Sequence, residues 1–362
     1  AVIDKKNDHK VREILEKWQI DYEVIGEITD TKRVVIESNN KKVVDLPVEI
    51  IVDDAPEYDR EFYIPRKRKN KDFDFSKIKL EDMISNFLTN LNYLDKSWVF
   101  DQYDSTVMGD TVREPGQSSG IVKIHGTQKV IGASTDCNPL YIRINPYEGM
   151  KYTVAESFRN LIACNMNPLA ITNNLNFASP LDPNIMGELV LSIQGLKTAA
   201  VKFNTPIVSG NVSLYNQTND IPIKPTPVIG MVGSNMDLNN INTNNFCNIG
   251  NKIVVLGKQL TKSYSPYLLQ DQKIALNISE FNDLEVLDLD FEKKIANCVL
   301  ELSDLKLIMS CNDISRGGIF SSLLKMQYKD MGFKVKVPDP IDLFCEYSAG
   351  YVVEIRTKDL VE

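Results

Sequence analysis

DPNIMGELVLSIQGLKTAAVKFNTPIVSG, Asp182 to Gly210, encodes a helix followed directly by a strand, and it decides the fold class. Asp182 is a suitable N-cap and Pro183 a suitable first residue of a helix. Apolar residues then recur at the spacing of a buried helix face: Ile185, Met186, Leu189, Val190, Ile193 and Leu196. The pattern ends near Phe203 and Asn204, and the strand TPIVSG follows. Alternation of this kind predicts an α/β protein.

The same alternation divides the chain into segments. The predicted segments are residues 1–55, the end of a longer domain; residues 56–80, a linker; residues 81–240, a first α/β unit; and residues 250–362, a second, truncated α/β unit. The first segment holds a helical pattern and a hairpin around Asn39-Asn40. Val154 to Cys164 is predicted to be an amphipathic helix. An asparagine-rich loop at 236–251 marks the boundary between the two α/β units.

Composition excludes several classes of protein. The 362 residues are 43% hydrophobic and 25% charged, as in soluble globular proteins, and the formal net charge is −8. No apolar run approaches the roughly 20 residues of a membrane span, and the N-terminus is too polar for a signal peptide. The acidic balance argues against nucleic-acid binding, and the basic run at 65–71 is interpreted as a solvated linker. Six cysteines without a CxxC pair indicate reduced thiols and a cytoplasmic chain.

The common phosphate and metal motifs are absent. The sequence contains no GxxxxGK[ST], no GxGxxG after a strand and no HExxH. Its two histidines rule out a histidine-rich metal site. His125 lies in a strand pattern, where a half-buried structural role is expected, and His9 is expected to be exposed.

Small polar residues instead follow several strands, in STDCNP, ITNNLNFASP and VSGNVSLYN. Such loops are either ordinary turns or sites for Mg²⁺ and phosphate, because Mg²⁺ takes oxygen ligands that it shares with nucleotides. In PIVSGNVSLYNQT the strand is predicted to reach Val208 and then break. Gly210 allows a backbone N–H to approach an anion, and Asn211 and Ser213 project to one side if strand geometry continues.

Five stretches carry a resemblance to a known family. They are VMGDTVREPGQSSG, the run from Ser134 to Pro180, VSGNVSLYNQT, PTPVIGMVG and CNDISRGGI. In this order they resemble the second half of the phosphoribosylformylglycinamidine synthase family, within the aminoimidazole ribonucleotide synthetase superfamily. The likeness covers nearly the whole chain. It implies an α/β (α+β) fold with a ferredoxin-like N-type domain at 81–240 and a C-type α/β domain from 250, preceded by the remnant of another C-type domain.

The implied activity is that of a ligase of purine biosynthesis. It is an ATP-dependent, Mg²⁺-dependent amidation of formylglycinamide ribonucleotide with ammonia from glutamine. The implied partners are the missing first half of the synthase, a glutaminase and small accessory subunits. No catalytic residue is assigned, because the family's catalytic histidine lies in that first half. By position, the implied site residues are Asn173 and Gly210 for ATP, Asn211 for Mg²⁺, Ser213 for the substrate, and Asp136 and Asp313 as further candidates.

Four positions depart from the family's motifs. Asn173 replaces an aspartate, the PGGD-type turn ends in Ser118, and Asn312 and Arg316 replace a histidine and an aspartate of HDxSDGG. Two alternatives therefore stay open: a non-catalytic binding or scaffold module, and another member of the superfamily. The resemblance also implies that the sheet face around 121–131 and 228–232 lacks its partner sheet, so a homodimer is expected.

Overall fold

The computed structural model describes residues 1–66, 68 and 71–360. The chain divides into two compact units, residues 1–59 and residues 60–362. The predicted solvated linker at 65–71 lies partly outside the described residues. Over the described ranges, no helix is both long and apolar enough to cross a membrane.

The first unit contains a helix, a hairpin and a short second helix. Its elements are α1 (Asp8–Lys17), β1 (Arg33–Ser38), β2 (Lys41–Pro47) and α2 (Val48–Val52). Strands β1 and β2 are antiparallel, and Asn39 and Asn40 have φ of 52° and 58°, as a tight hairpin turn requires. The predicted hairpin is therefore confirmed. None of residues 1–59 is buried. The assignment of 1–55 to the end of a longer domain stays a prediction.

The second unit contains the remaining elements. Its helices are α3 (Leu80–Leu88), α4 (Ser97–Phe100), α5 (Pro139–Ile144), α6 (Pro146–Ala163), α7 (Pro183–Phe203), α8 (Pro266–Asp271), α9 (Leu289–Asp304) and α10 (Gly318–Met326). Its strands are β3 (Thr111–Arg113), β4 (Gly120–Lys123), β5 (Val130–Cys137), β6 (Asn167–Asn176), β7 (Ile207–Ser213), β8 (Gln217–Thr218), β9 (Ile221–Pro222), β10 (Thr226–Asn235), β11 (Lys252–Gln259), β12 (Ile308–Asp313) and β13 (Tyr347–Ile355).

Two sheets organise this unit. The larger has the strand order β3-β4-β5-β10-β6-β7, in which only β6 and β7 are parallel neighbours. The smaller is antiparallel, with the order β11-β13-β12. Helix α6 packs against β5, β6 and β10 of the larger sheet and also contacts β12 and β13 of the smaller one. The mixed α/β architecture agrees with the predicted fold class.

The predicted amphipathic helix at 154–164 is longer than expected and is not amphipathic. Helix α6 begins at Pro146, capped by the Asn145 side chain, and 15 of its 18 residues are buried. It is buried on all sides because the larger sheet, α7, α9 and the smaller sheet surround it. Gly149 is needed there, since a Cβ atom would come within 2.5 Å of the Tyr141 backbone. Helix α6 is therefore the central element of this unit.

Helix α7 agrees with the sequence prediction at both ends. The Asp182 side chain accepts a hydrogen bond from the Asn184 backbone N–H at 2.8 Å, and Pro183 is the first helical residue. Asn204 ends the helix in the left-handed region with φ of 58°. These signals are local, so the sequence alone specifies them.

The asparagine-rich segment between the two sheets is a loop, but it is packed rather than loose. Asn242 and Asn244 are only 7% and 4% exposed. Asn242 Nδ2 donates to the Ala163 carbonyl at 3.2 Å and to Ser303 Oγ at 2.8 Å. These amides satisfy buried polar groups on both sides, which explains the composition of the segment.

Glu346 is a buried hydrogen-bond acceptor in the second unit. Its carboxylate accepts from the Tyr267 and Leu268 backbone N–H groups at 2.7 and 3.3 Å and from Tyr141 Oη at 3.2 Å. Burial raises its pKa from 4.5 to about 7, although the two backbone donors act in the opposite direction.

Replacing Glu346 by glutamine is expected to flatten the pH dependence of stability. Between pH 4.5 and 7 the folded chain retains a proton that the unfolded chain loses, so the unfolding free energy of the parent protein falls as pH rises through this window. The part of this effect that falls between pH 5 and pH 8 is roughly 2–3 kcal/mol. Urea unfolding at pH 5 and pH 8 measures it, with the exposed Glu301→Gln variant as the control. Equal pH dependence of Glu346→Gln and the parent protein would contradict the assignment.

Candidate functional site

Strands β6 and β7 lie side by side at one edge of the larger sheet and carry four of the six sequence-predicted site residues. Their parallel register places Asn173 opposite Gly210, Asn174 opposite Asn211, and Asn176 opposite Ser213. We call this pair of strands the polar edge. The structure thus brings the ATP, Mg²⁺ and substrate candidates together.

The predicted break after Val208 is wrong. Strand β7 continues through Ser209, Gly210 and Asn211 to Ser213. Pairing with β6 maintains the extended backbone, although glycine, asparagine and serine alone favour a turn. The SGN sequence therefore lies within an exposed edge strand rather than at its tip.

The continued strand places the candidates on opposite faces of the sheet. Asn173 and Gly210 lie in the row that faces the helices, whereas Asn211 and Ser213 lie on the other, more exposed face of the sheet. We call the second face the open face. Any ligand that contacts both sets has to reach around the β7 edge.

The absence of a side chain at Gly210 leaves room for the Asn173 carboxamide. A Cβ atom at Gly210 would lie 2.5 Å from Asn173 Oδ1 and 2.9 Å from Asn173 Nδ2. The whole carboxamide of Asn173 therefore lies over Gly210. It offers a hydrogen-bonding group at the β7 edge but no charge.

Asn211 presents an amide oxygen on the open face. Its Nδ2 donates to Asn174 Oδ1 at 3.0 Å, which fixes the orientation of the side chain. Among the described residues, no hydrogen bond is made to Asn211 Oδ1. Next to it, the Thr172 and Ser209 hydroxyls lie 2.8 Å apart. The open face thus carries a neutral amide oxygen that accepts no hydrogen bond from the described residues, within a row of small polar side chains.

Ser213 is held by a local hydrogen-bond network. Its Oγ donates to Asn216 Oδ1 at 3.2 Å, and Asn216 Nδ2 donates to the Ser213 and Phe177 carbonyls at 2.9 and 3.0 Å. The network fixes the position of the hydroxyl at the end of β7.

Asp136 lies in the same row as Gly210 but far from it. The row runs Asp136, Ile229, Asn173, Gly210 across four strands, so about 14 Å separate its ends at the usual strand spacing. Asn160 Nδ2 donates to both carboxylate oxygens of Asp136, at 3.1 and 3.2 Å. Asp136 is therefore not part of the polar edge.

Asp136 belongs instead to an acidic cluster with Glu156 and Asp313. Burial and the neighbouring carboxylates raise the pKa of Asp136 well above its ordinary value, and burial followed by Asp313 raises that of Glu156. Asp313 is 2% exposed, and its Oδ2 has no hydrogen-bond partner among the described residues. Even so, no group of histidine, cysteine, aspartate and glutamate side chains within the described ranges is arranged to hold a metal ion.

Three of the four positions that depart from the family motifs form hydrogen bonds within the protein. Asn244 Nδ2 donates to Ser118 Oγ at 2.6 Å and to Asn312 Oδ1 at 2.9 Å, and Ser118 Oγ donates to Asn312 Oδ1 at 3.1 Å. Arg316 forms two hydrogen bonds with Asp271, Nη2 to Oδ1 at 2.5 Å and Nε to Oδ2 at 3.2 Å. The substitutions thus form their own network.

Sequence reasoning missed two contributors to the polar edge. Asn174 and Thr172 lie on the open face beside Asn211 and Ser209. Thr172 and Asn174 are two residues apart in the sequence TNN. Once this segment is assigned as a strand, that spacing places both side chains on one face.

Residues 116–234 match the family AIR synthase related protein, N-terminal domain. Phosphoribosylformylglycinamidine synthase subunit PurL from Pelagibacter ubique is 38% identical over 99% of this chain, and PurL from Sulfurovum sp. is 34% identical over 99%. The chain spans about half the length of these curated relatives, 50% and 49%.

Solved structures agree in fold. Thermotoga maritima PurL complexed with ATP aligns over 100% of this chain and 52% of its own, with a TM-score of 0.69 and 22% identity. T. maritima PurL complexed with FGAR aligns with a TM-score of 0.68. Sequence and fold together confirm that the chain resembles the phosphoribosylformylglycinamidine synthase subunit PurL along nearly its whole length, with an AIR-synthase-type fold.

Proposed function

We propose that this chain supplies one half of an ATP-dependent ligase that converts formylglycinamide ribonucleotide into the amidine during purine biosynthesis. The observation that carries the proposal is the 38% identity to a PurL subunit over 99% of the chain. The polar edge supports it, because its neutral oxygens and amides suit a nucleotide whose charge is balanced elsewhere. A cytoplasmic location is part of this proposal.

In this function the polar edge forms one wall of the nucleotide site. The Asn173 carboxamide over Gly210 donates hydrogen bonds toward ATP at the β7 edge. Strands β6, β7 and β10 contain no lysine or arginine, so the positive charge that phosphoryl transfer needs comes from outside this wall. T. maritima PurL has been solved with ATP, ADP and AMPPCP, which supports the nucleotide as ligand.

Magnesium fits the same wall as a shared ion. Asn211 Oδ1 is a hard, neutral oxygen with no partner among the described residues, and its position is fixed by Asn174. Mg²⁺ commonly takes one or two protein oxygens and completes its shell with phosphates and water. Asn211 would hold the ion, which would neutralise phosphate charge.

The substrate and the assembly follow from the relatives. Ser213 on the open face would contact the ribonucleotide, and T. maritima PurL has been solved with FGAR. Ammonia would come from a glutaminase, with small accessory subunits and the complementary half of the synthase completing the enzyme. The T. maritima PurLQS structure, which aligns with a TM-score of 0.68, supports an assembly of this kind.

Replacing Asn211 by alanine is expected to weaken Mg–ATP binding in the protein that joins this chain to its complementary half. Loss of one fixed oxygen ligand costs about 1–3 kcal/mol, or roughly 5- to 150-fold in affinity. Calorimetric titration at several Mg²⁺ concentrations measures it. Asn167→Ala, at the far end of β6, is the matched control. Equal Mg²⁺ and ATP dependence in both variants would refute the assignment.

A non-catalytic scaffold derived from the enzyme is the second candidate. The network of Ser118, Asn244 and Asn312 and the Arg316–Asp271 pair favour it, because these groups satisfy one another without a ligand. Amidine formation separates the two candidates. A complemented protein that binds nucleotide but never releases phosphate in the presence of substrate would support the scaffold.

The chain is also expected to self-associate through the open face. Val122, Ile131 and Val232 are 47%, 39% and 38% exposed on it, whereas Ile121, Ile229 and Met231 of the same strands are buried on the other side. An apolar patch of this kind favours a two-fold dimer. Light scattering is expected to give twice 40.9 kDa, and Ile131→Lys to give the monomer mass. The control is Val286→Lys at an exposed loop position. A monomer at high concentration would rule out this dimer.

A further inference from the structure

A cavity of about 550 Å³ in the second unit has no part in the proposed ligase site. Helices α5 and α8, the segment that follows β9, and the loop 276–281 line it. Its volume is within the roughly 300–1,000 Å³ of small-molecule sites. Cys137, which lines it, lies three strands away from Asn211 in the same row, about 14 Å at the usual spacing. We call it the α5–α8 cavity.

One part of the α5–α8 cavity is apolar. Leu140, Ile223, Ile278 and Phe281 line it, with Leu276. Phe281 is 2% exposed and therefore belongs to the core, whereas Leu276 is 64% exposed. The cavity thus offers an apolar surface that extends from the core to solvent.

The charged residues of the cavity are all basic. Arg143, Lys224 and Arg316 line it, and among the described residues no aspartate or glutamate does. Three positive groups from three separate segments contrast with the net charge of −8 of the chain. Arg143 and Arg316 are each paired with a carboxylate outside the lining, Glu188 and Asp271, so Lys224 supplies the uncompensated positive charge that attracts an anion.

These basic groups retain hydrogen-bonding capacity. Arg143 uses Nη1 for Glu188 at 3.1 Å, and Arg316 uses Nε and Nη2 for Asp271. Within the described ranges, Arg316 Nη1 makes no hydrogen bond and Lys224 forms no ion pair. The Arg316 guanidinium is also fixed over the Tyr267 ring, 4.3 Å from its centroid. Donors held in place this way lose little entropy on binding an anion.

We propose that the α5–α8 cavity binds a phosphate monoester that carries an apolar body. A tetrahedral dianion can accept hydrogen bonds from Arg143, Lys224 and Arg316 at once, whereas a planar monocarboxylate matches a single guanidinium fork. The body of the ligand lies against Leu140, Ile223 and Phe281. The site is distinct from the polar edge, so it stands whether or not the proposed ligase function holds.

Phenyl phosphate is the probe, with inorganic phosphate, phenol and benzoate as comparison ligands. Calorimetric titration of the 362-residue chain is expected to show saturable binding that is tightest for phenyl phosphate and weakens with added salt. Lys224→Glu is expected to weaken it by about 10-fold or more, the effect of losing one charged hydrogen bond. Lys224 is exposed, so this variant folds. Lys258→Glu, an exposed lysine on β11, is the matched control, and Asn211→Ala is expected to bind phenyl phosphate normally.

Four results would overturn the proposal. The first is an absence of saturable binding to the parent chain. The second is equal affinity for phenyl phosphate in the Lys224→Glu and Lys258→Glu variants. The third is loss of binding in Asn211→Ala with no change in Lys224→Glu, which would place the ligand at the polar edge instead. Tighter binding of benzoate than of phenyl phosphate would likewise exclude a phosphate site.

Discussion

Replacing Glu292 by alanine is expected to lower the free energy of unfolding by about 3–5 kcal/mol, because it leaves a buried arginine without its partner. Arg159 Nη1 lies 3.0 Å from Glu292 Oε1, and the two side chains are 3% and 0% exposed. The same oxygen accepts the Ala349 backbone N–H at 2.6 Å. One carboxylate thus joins α6, α9 and β13, and its loss weakens the contact between the two sheets.

The charges around this pair explain why removing Glu292 is costly. Burial raises the pKa of Glu292, against the opposing effect of Arg159. The pKa of Arg159 is also raised: burial alone lowers it, but Glu292, Asp313 and Glu156 together more than offset that effect. Arg159 is therefore the cation that balances the acidic cluster. Without Glu292, Arg159 keeps only the weaker attraction of Asp313 and Glu156. The loss of unfolding free energy is therefore larger than for the removal of an exposed ion pair.

Two further variants isolate the ion pair from the packing. The double variant Arg159→Met, Glu292→Leu is expected to recover only part of the loss, because it removes the unpaired arginine but leaves the acidic cluster without its cation and the Ala349 N–H without its acceptor. Asp290→Ala, which removes the exposed partner of Lys202, is expected to cost at most about 1 kcal/mol. Urea unfolding measures all three. A loss from Glu292→Ala no larger than that from Asp290→Ala would show that the buried pair contributes little.

Local signals in the sequence predict the elements whose ends depend on neighbouring residues. Helix α7 is specified by Asp182, Pro183 and Asn204, and the first-unit hairpin by Asn39-Asn40. Helix α6 is different, because Arg159 on its presumed polar face pairs with Glu292, and the Glu156 charge is offset partly by Lys325, both far along the chain. No local pattern reveals such partners, so its full burial could not be predicted.

The candidate site shows the same limit. Motifs identified Asn173, Gly210, Asn211 and Ser213, and the β6–β7 register places them together. They lie on two faces only because β7 remains a strand. Pairing with β6 keeps it extended, whereas the residues Ser209 and Gly210 alone do not favour a strand. The motifs also suggested Asp136, but three strand spacings separate it from Gly210.

The positions of the two histidines decide whether either could take part in catalysis. His125 was expected to be half-buried in a strand, but its side chain is 84% exposed in the turn after β4, 3.0 Å from Asp110. The turn between β4 and β5 leaves it outside the sheet. His9 is 87% exposed beside Glu13, as expected. Neither imidazole is held in a cleft where general acid–base catalysis takes place.

A protein consisting of residues 1–362 alone is therefore expected to give no detectable amidine. The polar edge supplies neutral amides and hydroxyls, and β6, β7 and β10 carry no cation to meet the γ-phosphate. Single electrostatic contacts in such sites are worth about 10²–10³ in rate, so a site with one neutral wall loses several factors of ten. Ammonia does not compensate, because it supplies the nucleophile and no phosphate-binding group. The assay is phosphate release from ATP with formylglycinamide ribonucleotide and saturating ammonium, with and without the complementary half as the control. Substrate-dependent turnover that persists through purification of the lone chain, and that Asn211→Ala removes, would show that these residues already contain a complete active site.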